Sequence, residues 1–343
     1  MRPHGLVKAV IFCLTGVSGA VAGAQTPASG VSSGEASAIL SAAREALGGE
    51  KRAAAIKTIV TTGRTRQIQG ENLVPIEFEI AVELPDKYVR TDEIPSRESG
   101  PSRSGFNGDG IIQSGDPPRR GGPGPGGPPP ARAGGGSPPP GRAGAPEPGR
   151  GPTDKPADPT MQVKQDFARL TLGMFATSFS AYPLTFGYVG QAEAPEGKAD
   201  VIEVRGPGSF QARLFIDSKT HLPLMLNWTT PPNLVPVTPG QKPPPNTAPG
   251  SVVFETPAPP GDSATPEQRK QFEQDALAAR EKALASAKPT EHRIYYADYR
   301  DVDGLKFPFR LRRAVGATTT EETIFDRFRL NTKVDPRKFE VRK

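Results

Sequence analysis

Near the C-terminal end, YYADYRDVDGLKFPFRLRR places Asp303-Gly304 between two runs that read as strands. An Asp-Gly pair flanked in this way is a strong short-range signal for a two-residue hairpin. A third run follows, Thr319 to Leu330, ending at Asn331, and Asp335-Pro336 opens a short turn that carries Phe339. Three linked strands at one end commit the chain to an antiparallel sheet. The clearest alternation lies far upstream, with Ile76, Phe78, Ile80 and Val82 on one face and Glu77, Glu79 and Glu83 on the other. A strand oily on one side and charged on the other belongs to a sheet with one buried face, which is the antiparallel pattern.

The same reading extends along the chain. Strands are expected at Thr58 to Gln69, from after Pro85 to Asp92, and around Ile111 and Ile112 beyond the Asn107-Gly108 turn. Further strands are expected at Ala199 to Arg205, Ser209 to Asp217 and Leu222 to Thr230, with a polar turn at Asp217-Ser218-Lys219-Thr220. Phe210, Leu214 and Ile216 share one face, as do Leu224, Leu226 and Trp228. Ser32 with Glu35 forms a capping box for a helix bearing Ala36, Leu40, Ala43 and Leu47, which Gly48-Gly49 stops. Asp158-Pro159 caps a second helix, with Val163, Phe167, Leu170 and Met174 on one face. A third helix, about 266–287, starts at Thr265-Pro266-Glu267-Gln268. Its stripe of Phe272, Ala276, Ala279 and Ala283 is thin, which favours a solvated charged helix over a packed one. The expected fold is α+β: one curled antiparallel sheet of roughly seven to nine strands forming an incomplete barrel, with helices on its concave side.

Composition interrupts this core twice. Gly (38 residues) and Pro (40 residues) gather in two blocks, about 116–159 and 231–262. Such stretches bury too little apolar surface to offset the entropy of ordering them, so both are expected to be disordered insertions with polyproline-II character. Their glycines do not recur at every third position, which excludes a collagen helix. The remaining residues suffice for a single domain over 25–343.

Arg2, His4 and Lys8 precede an apolar run from about Ala9 to Ala22, and Ala22-Gly23-Ala24 has the small-x-small form of a signal-peptidase site. The expectation is a signal peptide over 1–24, cleaved after Ala24, and a periplasmic mature protein. Cys13, the only cysteine, lies inside that run. A mature chain without cysteine excludes disulfides, iron–sulfur clusters and thiol catalysis. The formal net charge of +6 falls further when Arg2 and Lys8 leave. Arginines among the glycines of the first block have no aromatic neighbours on which bases would stack, so no nucleic acid is expected as a partner.

Sites of chemistry are hard to find. Apart from His4, the histidines His221 and His292 each stand alone, as turn or surface residues do, and no metal-ligand spacing accompanies them. G-x-S-x-G and G-K-[ST] are both missing. Asp298, Asp301 and Asp303 surround Arg300 and read as a paired Asp–Arg surface rather than a Ca²⁺ loop. The expectation is a protein that is not an enzyme and holds no cofactor or metal.

The order of a helix ending in ALGG, the strand IKTIVTTGRTR, a mid-chain helix, then IDSKTHLPLMLNW and DYRDVDGLKFPFRLRR resembles the lipoprotein-carrier fold of LolA and LolB and their outer-membrane lipoprotein-sorting homologues. The resemblance covers about two-thirds of the mature chain. It implies a half-barrel whose apolar interior takes a lipid or the acyl chain of a lipoprotein. The lining it implies is Ile76, Phe78, Ile80 and Val82, with Phe210, Leu214, Ile216, Leu224, Leu226 and Trp228. Two functions follow as expectations: a periplasmic carrier or sensor of an amphiphile, or a cell-envelope scaffold whose Pro-rich arms hold a protein partner.

Overall fold

The computed structural model describes residues 32–69, 72–95, 100–115, 158–194, 197–244, 247–261 and 263–341. The leader with Cys13, and nearly all of the first Pro/Gly block, lie outside these residues. After α1 (Ser33–Ala46) and the short α2 (Glu50–Ala54) come β1 (Thr58–Gln69), β2 (Asn72–Glu83), β3 (Lys87–Glu93), β4 (Ser102–Asn107) and β5 (Gly110–Ser114). Then follow α3 (Pro159–Phe175), β6 (Thr185–Ala194), β7 (Gly197–Gly206), β8 (Phe210–Asp217) and β9 (Pro223–Thr230). Two short strands β10 (Leu234–Val237) and β11 (Val252–Glu255) precede α4 (Pro266–Ser286), and β12 (Thr290–Val302), β13 (Leu305–Val315) and β14 (Thr318–Leu330) complete the set.

The architecture is α+β. Twelve strands form one antiparallel sheet in the order β5-β4-β3-β2-β1-β14-β13-β12-β9-β8-β7-β6, and the sheet does not close into a barrel. Twelve exceeds the seven to nine expected; ten of the twelve coincide with runs named from sequence, and β4 and β6 are the two that do not. The sequence of β4 is SRSGFN, where Gly105 replaces an apolar side chain; a Cβ there would stand 2.2 Å from the Tyr88 carbonyl oxygen. In β6 the alternation is broken by a register shift between Tyr188 and Gly190. Elsewhere the turn chemistry holds. Asp303 and Gly304 adopt φ of 54° and 80° between Val302 and Leu305, as a type I′ hairpin requires.

Helices α1 and α3 begin where their caps lie. Ser32 Oγ accepts from the Glu35 N–H at 3.4 Å, and Asp158 Oδ1 from that of Thr160 at 2.9 Å. Both helices lie on the concave face. From α1, Ala36, Leu40 and Ala43 enter the core. From α3, Phe167 packs between Tyr88 and Phe106, with ring centroids 5.5 and 5.4 Å away. Phe175 meets Phe307 edge-on at 5.7 Å. A smaller cluster of Ala81, Val89, Ile112 and Phe339 is separate from this core, with the terminal 3₁₀ turn Pro336–Phe339 supplying the last of these.

The stretch 231–262, read from composition as a disordered arm, holds more structure at its described positions. β10 and β11 pair in parallel, Leu234 opposite Val252 through Val237 opposite Glu255. Valines and Phe254 are outnumbered by proline in that stretch, yet they are enough to seat two four-residue strands. Helix α4 has both halves of its capping box, and its thin stripe is its covered line: Ala283 is buried, and Phe272, Ala276 and Ala279 are partly covered while their neighbours are exposed.

Candidate functional site

The apolar rows named as lining are placed mainly in the packed interior. Phe78, Ile80 and Val82 of β2, Phe210, Leu214 and Ile216 of β8, and Leu226 of β9 join a single core cluster, and Ile76 is buried beside them in sequence but outside that cluster. Leu224 departs from the shared face expected of it and is 40% exposed. The cause is a bulge: Phe215 pairs with Met225, but Ile216 pairs with Pro223, so Leu224 has no partner across the ladder and turns outward. Trp228 is only half-buried.

The interior is polar at its centre. Tyr88, Arg90 and Asp92 alternate inward on β3, and Arg90 Nε donates to Asp92 Oδ1 at 2.7 Å. A further donor of Arg90 reaches Thr65 Oγ1 at 3.1 Å, and its guanidinium lies 4.1 Å from the Phe78 ring centroid. Thr65 and Thr323 share a hydrogen bond of 2.8 Å, Thr323 donates to Glu321 at 3.1 Å, and Glu321 pairs with Arg313 at 3.5 Å. Burial pushes the Asp92 carboxyl above its usual range, against the opposing pull of Arg90. The void among these groups, roofed by Asp166 and Leu170 of α3, measures about 20 Å³. That is room for about one water and not for an acyl chain. The signal for this network was present in the sequence: Arg90 and Asp92 sit at inward positions of an alternating strand.

Space for a ligand opens elsewhere. The ladder between β8 and β9 stops at the Arg213–Asn227 pair. Yet β8 stays paired to β7 as far as Phe210, and β9 stays paired to β12 as far as Thr230. The two strands therefore part like a fork, and Gln165 and Arg169 of α3 look into it. The resulting open groove has a volume of about 540 Å³, within the usual range for small-molecule sites, and runs between Gly208–Arg213 and Asn227–Pro231. Phe210 and Trp228 supply its aromatic surface. Of the ten residues named from sequence, these two line the groove.

Arg169 is the central polar group. Its guanidinium lies 4.4 Å from the centroid of Trp228 and 5.3 Å from that of Phe210, a double cation–π contact. Nη1 donates to Asp166 at 2.9 Å and Nη2 to Gln165 at 3.3 Å, which fixes the planar group. Burial pushes its pKa down, with Asp166 opposing. Behind Trp228, His292 stacks in parallel with centroids 5.2 Å apart, and its Nε2 lies 2.9 Å from Thr230 Oγ1. His292 is thus buried behind the groove's tryptophan and is not the surface residue expected of a lone histidine. A partner on the neighbouring strand and a large ring beside it are what sequence spacing did not reveal. His221, by contrast, is a turn residue with φ of 56°.

Among the described residues no cluster of three or more His, Cys, Asp or Glu side chains stands ready for a metal ion. Asp298 pairs with Arg300, and Asp301 accepts from the Gly304 N–H at 3.0 Å, so these acids hold a surface pair and a turn. No helix among the described residues is long and apolar enough to cross a membrane.

No protein-family model and no curated protein matches the chain. Among solved structures, it is similar over 89% of its length to a LolA superfamily protein from Nitrosomonas europaea, at 10% identity, 97% coverage of that chain and a TM-score of 0.44. An outer membrane lipoprotein-sorting protein domain from Vibrio parahaemolyticus matches over 89% of this chain and 94% of its own, at 8% identity and a TM-score of 0.38. A DUF1329 family protein from Desulfovibrio piger matches over 89% and 97%, at 7% identity and a TM-score of 0.39.

Proposed function

We propose that the protein is an exported carrier or sensor in the cell envelope that binds an amphiphile, a lipid or a lipoprotein acyl chain, without making or breaking bonds. The observation that carries this reading is the fork between β8 and β9, an open groove with Phe210 and Trp228 on its walls. The leader-like sequence of residues 1–24 supports export. Because the inward side chains of β2 and β8 belong to the core cluster, this reading lays the tail along the fork rather than inside the half-barrel. Each methylene taken fully out of water contributes about 0.8 kcal/mol, so ten give roughly 8 kcal/mol and about micromolar binding before ordering costs. An open groove covers only part of such a chain, so the tail alone binds more weakly than that.

The test is displacement of a fluorescent fatty acid from the purified protein, with native mass spectrometry for co-purified lipid. Saturable binding in the micromolar range or tighter, reduced by Trp228→Ala at unchanged circular dichroism, is the expected result. If no probe binds and no lipid is carried along, the amphiphile reading fails. A second reading then takes its place, which the packed interior favours: a closed scaffold whose Pro-rich segments and α4 meet an envelope protein.

A further inference from the structure

We infer that the groove recognises the anionic end of its ligand, a carboxylate or a phosphate, through Arg169 on its wall and Arg213 at its rim. This rests on the amphiphile reading for the tail but on separate observations for the charge. The groove is lined by these two arginines and by no Asp or Glu. Arg169 has one carboxylate partner, Asp166, whose side chain is 40% exposed and stands outside the groove lining. Arg169 Nε is buried and has no hydrogen-bond acceptor, a costly state for a charged donor. Burial also lowers its pKa, the mark of a cation whose surroundings do not fully compensate it. Arg213 faces Glu203 across the β7–β8 ladder, but Glu203 already binds Arg205 at 2.9 Å and accepts from Gln211 at 2.9 Å. An anionic oxygen entering the fork would meet a guanidinium already stacked on Trp228 and held by Asp166 and Gln165. Little ordering remains to be done on binding.

The only tryptophan of the chain is Trp228, so its fluorescence reports on the groove directly. The experiment titrates the intact protein with decanoate, decyl phosphate, decanol and inorganic phosphate. The first two are expected to bind at least about tenfold tighter than decanol. Arg169→Gln should erase that preference, Arg169→Lys should weaken but keep it, and Arg213→Gln should reduce it, with circular dichroism unchanged. Whether decanoate or decyl phosphate binds tighter tells which anion the site favours. Equal binding of decanol and the two anions overturns the anion inference and leaves the amphiphile reading standing, as does a preference that survives both Arg169→Gln and Arg213→Gln. If inorganic phosphate alone perturbs Trp228 in an Arg169-dependent way, the anion site stands and the amphiphile reading falls. No response to any of the four overturns both. Should Arg169→Gln fail to fold, Arg169→Lys, Arg213→Gln and the wild-type comparison of decanoate with decanol still decide.

Discussion

The ring of Tyr296 presses against the backbone of Gly173, so closely that a Cβ on that glycine would stand 2.2 Å from ring atom Cε1. The same tyrosine donates its hydroxyl hydrogen to the Arg169 carbonyl oxygen at 2.6 Å. Tyr299 adds a second tie, its hydroxyl lying 2.9 Å from the carbonyl oxygens of both Gly173 and Pro223. Two tyrosines of β12 thus seat α3 on the sheet and set the height of Arg169 above the groove. An exposed helical glycine replaced by alanine gains about 1 kcal/mol. Here the overlap should reverse the sign, and Gly173→Ala should lose about 1–3 kcal/mol in chemical denaturation. A stabilised variant would show that α3 does not sit where the structure puts it.

The bulge in β9 gives two nearby leucines opposite fates. Leu226 is fully buried against the core, and its replacement by alanine should cost about 2–5 kcal/mol. Leu224→Ala should change stability by no more than about 0.5 kcal/mol, because its side chain faces solvent. Urea midpoints of the two variants check this. Comparable losses at both positions would mean that β9 runs without a bulge.

Asp217 closes the β8–β9 turn. Its Oδ1 accepts from the Thr220 N–H at 2.6 Å, the Thr220 hydroxyl at 2.9 Å and the Lys219 N–H at 3.0 Å. The Thr220 backbone bond, against some desolvation, holds its carboxyl below the usual range. A pKa lowered by folding means stability that is present above the unfolded value of about 3.9 and lost as pH falls through the folded value. Asp217→Asn keeps an acceptor and removes the charge, so it should cost about 1 kcal/mol at neutral pH. That gap should shrink as the pH is taken down to about 3 and below. Thermal melts of both proteins across this range are the measurement, and a gap independent of pH would remove the charge from the explanation.

Much of this fold is legible in the chain itself. Ile76 to Val82 alternate inward, Asp303-Gly304 makes its hairpin, and Ser32 and Asp158 cap the helices where expected. What stayed hidden has physical reasons. β4 presents serines and Gly105 where an apolar row would announce a strand, and its pairing comes from neighbours rather than from its own pattern. The bulge at Leu224 shifts the phase of β9 by one residue, which no two-residue period can show. The groove was half visible. Phe210 and Trp228 stood out as apolar positions, but Arg169 lies on a helix distant in sequence, and a parting of two paired strands has no local signature. The resemblance to lipoprotein carriers implies a ligand inside the half-barrel, and it gives no sign of the buried pairs Arg90–Asp92 and Arg313–Glu321.

The seam of the sheet lies where β1 meets β14, joining Ile59 to Leu330 through Gln67 to Glu321. Asn331 fastens its end, its side-chain oxygen accepting from the Lys57 N–H at 2.7 Å. Strands β1 to β5 follow one another as neighbours and can assemble early, but β1 keeps an open edge until residues more than 250 positions later arrive. Loop-closure entropy of that scale comes before any reward from the contact, so completion of the sheet is a late and slow event in folding. A chain caught before that event exposes β1 as a template for intermolecular pairing, and its yield on refolding will depend on concentration more steeply than its final stability suggests.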